Sequence, residues 1–187
     1  MNPTLYFDDP DEGLSHDTSH PRFVELATDG FYYDVCDDFS PFGSDDGADT
    51  LYALEDWYRT PDKNHEAAID FLKSMLAGWD YGVPADILRA DAAARTAWLK
   101  ASEMNEIFLV SECRARVAMA FGQLKITGKV DADILDEAIA AIECQLWLNE
   151  CGRPARFYTH PDKQRMLQAQ ASLKQRLLQM QALLQSL

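Results

Sequence analysis

Residues 103–124, EMNEIFLVSECRARVAMAFGQL, carry the cleanest helical pattern in the middle of the chain. Their apolar residues recur at spacings of four and three, the repeat of one face of an α-helix. These residues are Leu109, Cys113, Val117, Ala120, Phe121 and Leu124. The pattern predicts a central core helix that ends at Gly128. Glu112 and Arg116 stand four residues apart in the favourable order, so we predict a solvent-face ion pair that contributes ~0.3 kcal/mol.

Helical patterns flank this segment on both sides. We expect a short helix over 20–27, a brief extended segment at 31–35, and longer helices over about 46–59, 64–79, 84–100, 131–151 and from 161 onwards. These elements predict an all-α fold, a single helical domain of about six to seven helices with an irregular acidic N-terminal region. The expected organisation is a flexible acidic arm (1–20), a helical core domain (21–152), and a connector with a C-terminal amphipathic helix (153–187).

The last helix repeats its apolar residues at alternating spacings of four and three, as a heptad seam does. The seam comprises the apolar residues Met166, Leu173, Leu177, Met180, Leu184 and Leu187, together with the polar Gln170. Leu167, Leu178 and Leu183 widen it beyond the narrow stripe of a two-stranded coil, which favours packing against the helix's own domain. The alternative is a homodimer through this helix, with a candidate oligomer interface of Leu173, Leu177, Met180 and Leu184.

Residues 34–58, DVCDDFSPFGSDDGADTLYALEDWY, join an acidic loop to an amphipathic helix. Pro41 and the two glycines after it require the chain to turn, and Asp45 and Asp46 stand where helix-capping acids belong. The apolar positions of the helix lie on one face, which leaves Glu55 and Asp56 to solvent. These apolar residues are Leu51, Leu54, Trp57 and Tyr58.

The aspartates of this loop allow two binding hypotheses. One is a surface for a basic protein partner, with the candidate contact residues Asp37, Asp38, Phe42, Asp45 and Asp46. The other is a divalent-metal site built on Asp37, Asp38, Asp45, Asp46 and Asp49. An EF-hand alignment on Gly43 places Phe42 at a liganding position and supplies no bidentate glutamate. Helix capping and solvated charge are therefore favoured over a metal site.

The same region resembles a known family. The run FYYDVCDDFSPFGSDDGADTLYALEDWY (31–58), with HPRF just before it (20–23), is similar to the shared segment of the uncharacterised bacterial YfeS-like proteins. In that segment an aromatic-Asp element leads to PFG, then to acids and an acidic-aromatic helix. The resemblance covers residues from about His20 to Trp57. It implies a bacterial intracellular protein and carries no catalytic residue onto this chain.

Charge is distributed unevenly along the chain. The formal net charge is -14, and residues 1–50 hold 13 acids against one base, Arg22. Residues 151–187 hold six bases against one acid, Asp162. An acidic surface of this density repels phosphates, so a general nucleic-acid binder is excluded. The chain has four cysteines without a CxxC pattern, no signal peptide, and no uninterrupted apolar run that approaches the length of a membrane span. These features predict a cytoplasmic protein with reduced thiols and no membrane contact.

No catalytic constellation accompanies these features. The sequence lacks GxSxG, HExxH, P-loop and GxGxxG motifs, and its four histidines are scattered. We therefore expect no cofactor and a non-enzymatic interaction or regulatory protein, in one form an immunity-type inhibitor that binds a basic partner. The alternatives are an acid-coordinated metal enzyme on the aspartate-rich loop and a DNA-mimicking inhibitor.

Overall fold

The computed structural model describes residues 4–60, 66–151 and 163–187. In these ranges the helices are α1 (Pro21–Leu26), α2 (Asp45–Arg59), α3 (Ala68–Trp79), α4 (Ala92–Ala101), α5 (Met104–Thr127), α6 (Ala132–Glu150) and α7 (Lys163–Gln185). The prediction of an all-α single domain with six to seven helices is confirmed. No helix in the part of the chain described is long and apolar enough to cross a bilayer.

Several helix boundaries follow the local signals, but the helix expected over 84–100 begins only at Ala92, where the Asp91 side chain accepts from the Ala94 amide and caps it. Gly128 ends α5 in the left-handed conformation, with φ 73°, and Asp131 stands at the N-terminal boundary of α6. The expected extended segment at 31–35 is wrong: Gly30–Tyr33 forms a 3₁₀ helix, because Asp29 accepts from the Phe31 amide and caps it. The predicted helix start at Asn64 and the predicted connector of 153–162 lie outside the described residues.

Helix α5 is the centre of the molecule, as predicted, but it is buried on more than one face. From Leu109 to Ile126 nearly every residue is inaccessible to solvent, because α2 and α6 cover it on different sides. The prediction that Glu112 and Arg116 form a solvent-face pair is therefore wrong. Their side chains are 7% and 9% exposed, and they bond at 2.8 Å inside the protein.

Helix α2 runs alongside α5 in the same direction. Asp46 lies beside Arg114, Leu54 lies beside Gly122, and Glu55 reaches Lys125 eleven residues further along α5 than Arg114. A methyl group on Gly122 would come within 2.8 Å of the Leu54 side chain. The glycine thus permits the two helices to approach closely.

Residues 4–20 pack along the far end of α5, which differs from the loosely held arm expected from their composition. The Tyr6 amide donates to the Ile126 carbonyl at 3.0 Å, and the His20 amide donates to the Lys125 carbonyl at 2.8 Å. Leu5, Phe7 and Leu14 rest against the core. The backbone of this segment is therefore bonded to the last turn of α5 at two points.

Helix α7 packs on α6 within the same domain. Leu177, Met180 and Leu184 are 1%, 3% and 0% exposed, and Leu173 is partly buried. Their burial corrects the candidate oligomer interface, since these side chains already face the chain's own core. Arg176 adds an ion pair to Asp29 at 2.9 Å and lies 4.1 Å from the Phe31 ring centre. The basic helix α7 is therefore held against the acidic N-terminal region.

Candidate partner-binding surface

The loop over 34–44 is fixed by its own backbone. Ser40 donates its hydroxyl to the Asp34 carbonyl at 2.6 Å, and its amide donates to the Asp37 carbonyl at 2.8 Å. A methyl group on Gly43 would lie 2.0 Å from the Asp37 carbonyl oxygen, a separation that no side chain tolerates. Gly43 of the PFG sequence is therefore required for the fold of the loop, and the binding residues must be sought among the outward side chains of the loop.

Phe42 points into the core and is only 1% exposed. This placement corrects its assignment as a partner contact. The hydroxyl of Ser44 accepts from the Gly47 amide at 3.1 Å and caps α2, so the predicted capping role of Asp45 and Asp46 is wrong. Both aspartates lie in the first turn, where the positive end of the helix stabilises their charge.

The candidate aspartates do not share one environment. Asp38, Asp45 and Asp49 are exposed, whereas Asp37 and Asp46 are half-buried. Burial raises the pKa of Asp46, against the opposing effects of a hydrogen bond from Ser111 and the charge of Arg114. In the described residues no group of three histidine, cysteine, aspartate or glutamate side chains is placed to hold a metal ion.

The solvent face of α2 forms an acidic stripe with an aromatic centre. We define the acidic stripe as Asp45, Asp49, Tyr52 and Asp56, which are all exposed and follow each other at spacings of three and four. Tyr52 is 75% exposed, the highest value among the exposed large hydrophobic residues. Sequence reasoning missed Tyr52, although its position off the apolar face of the helix could have indicated it.

A buried ion cluster holds the opposite face of α2 in place. Lys125 is inaccessible to solvent, and its ammonium group contacts Glu55 Oε1 and Asp8 Oδ1 at 2.6 Å each. Glu55 also accepts from the Asp8 amide and from Arg59. The cluster ties α2, α5 and the N-terminal segment together, so the acidic stripe stands on a rigid support.

The burial of Glu55 contradicts its predicted exposure. It follows Leu51 by four residues and so lies in phase with the apolar face of α2. Lys125 likewise follows Phe121 by four residues on α5. Two opposite charges, each in phase with the apolar face of its helix, were the sequence signal that could have indicated this buried ion pair. Burial raises the pKa of Asp8, although the hydrogen bond and charge of Lys125 act in the opposite direction.

Comparison with known proteins supports the resemblance noted in the sequence. The chain is similar to the Escherichia coli (strain K12) protein described as "Uncharacterized protein YfeS", with 36% identity over 126 residues. The match covers 67% of this chain and 49% of that protein, so the chain spans about half the length of its curated relative. No protein-family model and no solved structure matches the chain.

Proposed function

We propose that this chain is a non-enzymatic, cytoplasmic interaction protein whose acidic stripe binds a basic segment of a protein partner, as an immunity-type inhibitor would. The observation that carries the proposal is the exposure of Tyr52 between Asp45, Asp49 and Asp56 on one helix face. Aromatic residues are typical anchors of protein interfaces. A ring that stands beside carboxylates is suited to a guanidinium group, which stacks on the ring and pairs with the acid.

The charge of the acidic stripe favours a basic partner over a second copy of the chain. The net charge of -14 makes two stripes repel each other, whereas it accelerates the encounter with a cation. The exposed acids of the loop, Asp38 among them, extend the same field. Binding should therefore weaken as salt rises, because screening acts over ~8 Å at physiological ionic strength.

Site-specific photocrosslinking in host cells tests the proposal directly. A benzophenone amino acid at position 52 replaces one aromatic side chain by another, and the same group at Leu178, an exposed position of α7, is the matched control. We expect a single basic protein to crosslink at position 52 and not at position 178. Absence of a crosslink at position 52, or capture of a second copy of this chain there, would contradict the proposal.

Charge-neutralised variants then separate a specific surface from general acidity. The first changes Asp45, Asp49 and Asp56 to Asn. The second changes Asp11→Asn, Asp70→Asn and Glu143→Gln, three exposed acids elsewhere, and so alters the net charge equally. The purified crosslinked partner should bind the first variant at least about tenfold more weakly than the second, which corresponds to about 1.4 kcal/mol. Equal weakening would mean that only the total charge matters.

A further inference from the structure

A cleft of about 410 Å³ opens between the end of α3, the loop over 80–85 and the middle of α5. The loop turns sharply, since Asp80 and Gly82 both adopt left-handed backbone conformations with φ 54° and 65°. Asp80 is the one non-glycine residue with positive φ in the described ranges. This turn carries Tyr81 and Val83 to the cleft and keeps the space in front of α5 open.

The cleft combines apolar walls with a charged floor. Leu76, Ala77, Val83 and Ala85 line its sides. Glu112 and Arg116 line it from α5. Both are buried, with 5% and 7% of the whole residue exposed, so little water reaches them. Apolar walls that lead to a charged floor fit an amphipathic side chain, whose methylene groups pack on the walls while its charged end reaches the floor.

The floor favours a cation over an anion. Arg116 Nη1 donates to Glu112 Oε2 at 2.8 Å and its Nε donates to Glu137 Oε2 at 2.9 Å, so two carboxylates already neutralise this guanidinium. An anion approaching Arg116 would meet both of them. The Arg116 bond engages Glu112 Oε2, which leaves the other carboxylate oxygen, Oε1, as the acceptor for a second cation. The rim carries one positive charge, Lys73, and one negative charge, Asp80, which are both exposed, so the rim favours neither sign.

The pKa shifts at the floor of the cleft agree with a carboxylate that burial has left under-compensated. Burial raises the pKa of Glu112, and the hydrogen bond and charge of Arg116 oppose this shift without cancelling it. Burial also acts to lower the pKa of Arg116, but the neighbouring groups, Glu112 first and Glu137 among the others, together outweigh it and the pKa is raised overall. A second cation beside Glu112 would relieve the cost of its burial.

Tyr81 connects the cleft with the acidic stripe. Its ring stacks on Phe108 of α5, with centroids 4.7 Å apart and planes at 10°. Partial burial, and then the negative charges of Asp46, Asp49 and Glu112, raise the pKa of Tyr81. Asp49 of the acidic stripe and Glu112 of the cleft floor therefore both act on Tyr81, so the stripe and the cleft share one electrostatic environment.

We propose that the cleft receives an arginine or lysine side chain of the basic partner, with Glu112 Oε1 as its acceptor and the apolar walls around its methylene groups. This inference rests on the proposed function and adds a specificity pocket to it. The pocket selects a long cationic side chain at one position of the partner, whereas the stripe attracts basic segments in general.

The experiment follows amide chemical shifts of the full chain on addition of Nα-acetyl-arginine methylamide. Nα-acetyl-citrulline methylamide, which has the same shape without the charge, is the control probe. We expect saturable shifts at Tyr81, Gly82 and Glu112, with the citrulline probe binding at least about tenfold more weakly because it lacks the charge-assisted bond. Absent shifts, or equal binding of both probes, would overturn the proposal.

Three variants secure this test. Ala77→Phe fills the cleft from an exposed position of α3 and leaves every charge in place, so it should abolish the shifts without unfolding the protein. Glu112→Gln should remove the preference for arginine over citrulline. Asp136→Asn, which touches Arg89 of the same ion network but lies outside the cleft lining, should leave the preference unchanged. Arginine binding that survives Ala77→Phe would refute the assignment of this cleft.

The outcomes separate the pocket from the stripe. If the arginine probe binds the cleft but no partner crosslinks at position 52, the pocket stands and the proposed function fails. If the partner binds through the stripe and Ala77→Phe leaves its affinity unchanged, the proposed function stands and the pocket fails.

Discussion

Replacing Lys125 by methionine should destabilise the protein strongly. The lysine side chain is 0% exposed and contacts the carboxylates of Glu55 and Asp8 at 2.6 Å each. Methionine keeps much of the volume but leaves Glu55, itself only 5% exposed, without its buried cation. Removal of one partner from a buried ion pair costs ~3–5 kcal/mol. Asp8 is 25% exposed and regains some hydration, so we expect a loss near the lower end, about 3 kcal/mol.

Urea unfolding followed by circular dichroism measures this loss. Lys174→Met is the matched control, because Lys174 pairs with Glu150 on the surface, where the side chains are 46% and 63% exposed. Its cost should stay below ~0.5 kcal/mol. The double variant Lys125→Met with Glu55→Gln should recover ~1–3 kcal/mol relative to additivity, since the uncompensated carboxylate is removed as well. A loss below ~1 kcal/mol for Lys125→Met would refute the argument.

The same variant should loosen the N-terminal segment. Lys125 holds Asp8, while the neighbouring Ile126 carbonyl accepts from the Tyr6 amide at 3.0 Å. Amide exchange at Tyr6 should therefore accelerate more in Lys125→Met than the global loss of stability requires. Equal changes for Tyr6 and for core amides of α5 would mean that the segment does not open separately.

Further substitutions test two glycines, the cap of α2 and two tyrosine hydroxyls. Gly43→Ala should cost ~3 kcal/mol or more in urea unfolding because its methyl group would overlap the backbone, whereas Gly78→Ala, with open space, should stabilise α3 by about 0.5–1 kcal/mol. Ser44→Ala should cost ~1 kcal/mol with and without a chelator, and a calcium-dependent rise in melting temperature would contradict a purely structural loop. Tyr33→Phe should leave the free energy of unfolding unchanged or higher, because the Tyr33 hydroxyl is buried without a partner in the described residues. Tyr32→Phe is the control and should lower the free energy of unfolding, because the Tyr32 hydroxyl donates to a carbonyl of α7. Burial raises the pKa of Tyr33 from 10.0 to about 12, so the stability linked to this group is complete below pH 10 and is lost as pH rises towards 12. Because burial also raises the pKa of Tyr32 to about 12, Tyr33→Phe should show a smaller loss than the wild type in a pH series, and equal losses would contradict the argument.

Only part of the candidate surface could be read from the sequence. The exposed aspartates 38, 45 and 49 lie on the surface as a charge pattern indicates. Phe42 does not, because its loop is folded back by contacts that only glycine at position 43 allows, and the ring enters the core. The cleft in front of Glu112 could not be predicted, since its walls come from α3, a loop and α5, which the sequence does not place relative to each other.

Local residue patterns were enough to locate most of the helices of this protein and several of their ends. Apolar spacing marked α5, Gly128 ended it, and Asp131 stood at the boundary of the next helix, because periodicity and capping depend on residues within one or two turns. These local signals were sufficient for an all-α fold.

Which charges are buried depends on how the helices dock. Glu55 and Lys125 are separated by 70 residues, and neither shows in its own helix whether it faces water or a partner. A charged side chain in phase with an apolar face can stay hydrated at the edge of that face. It can be buried without a large cost only when another part of the chain supplies an opposite charge. The pairing of these charges depends on how α2 and the N-terminal segment dock on α5, which is a long-range arrangement that local residue patterns do not encode.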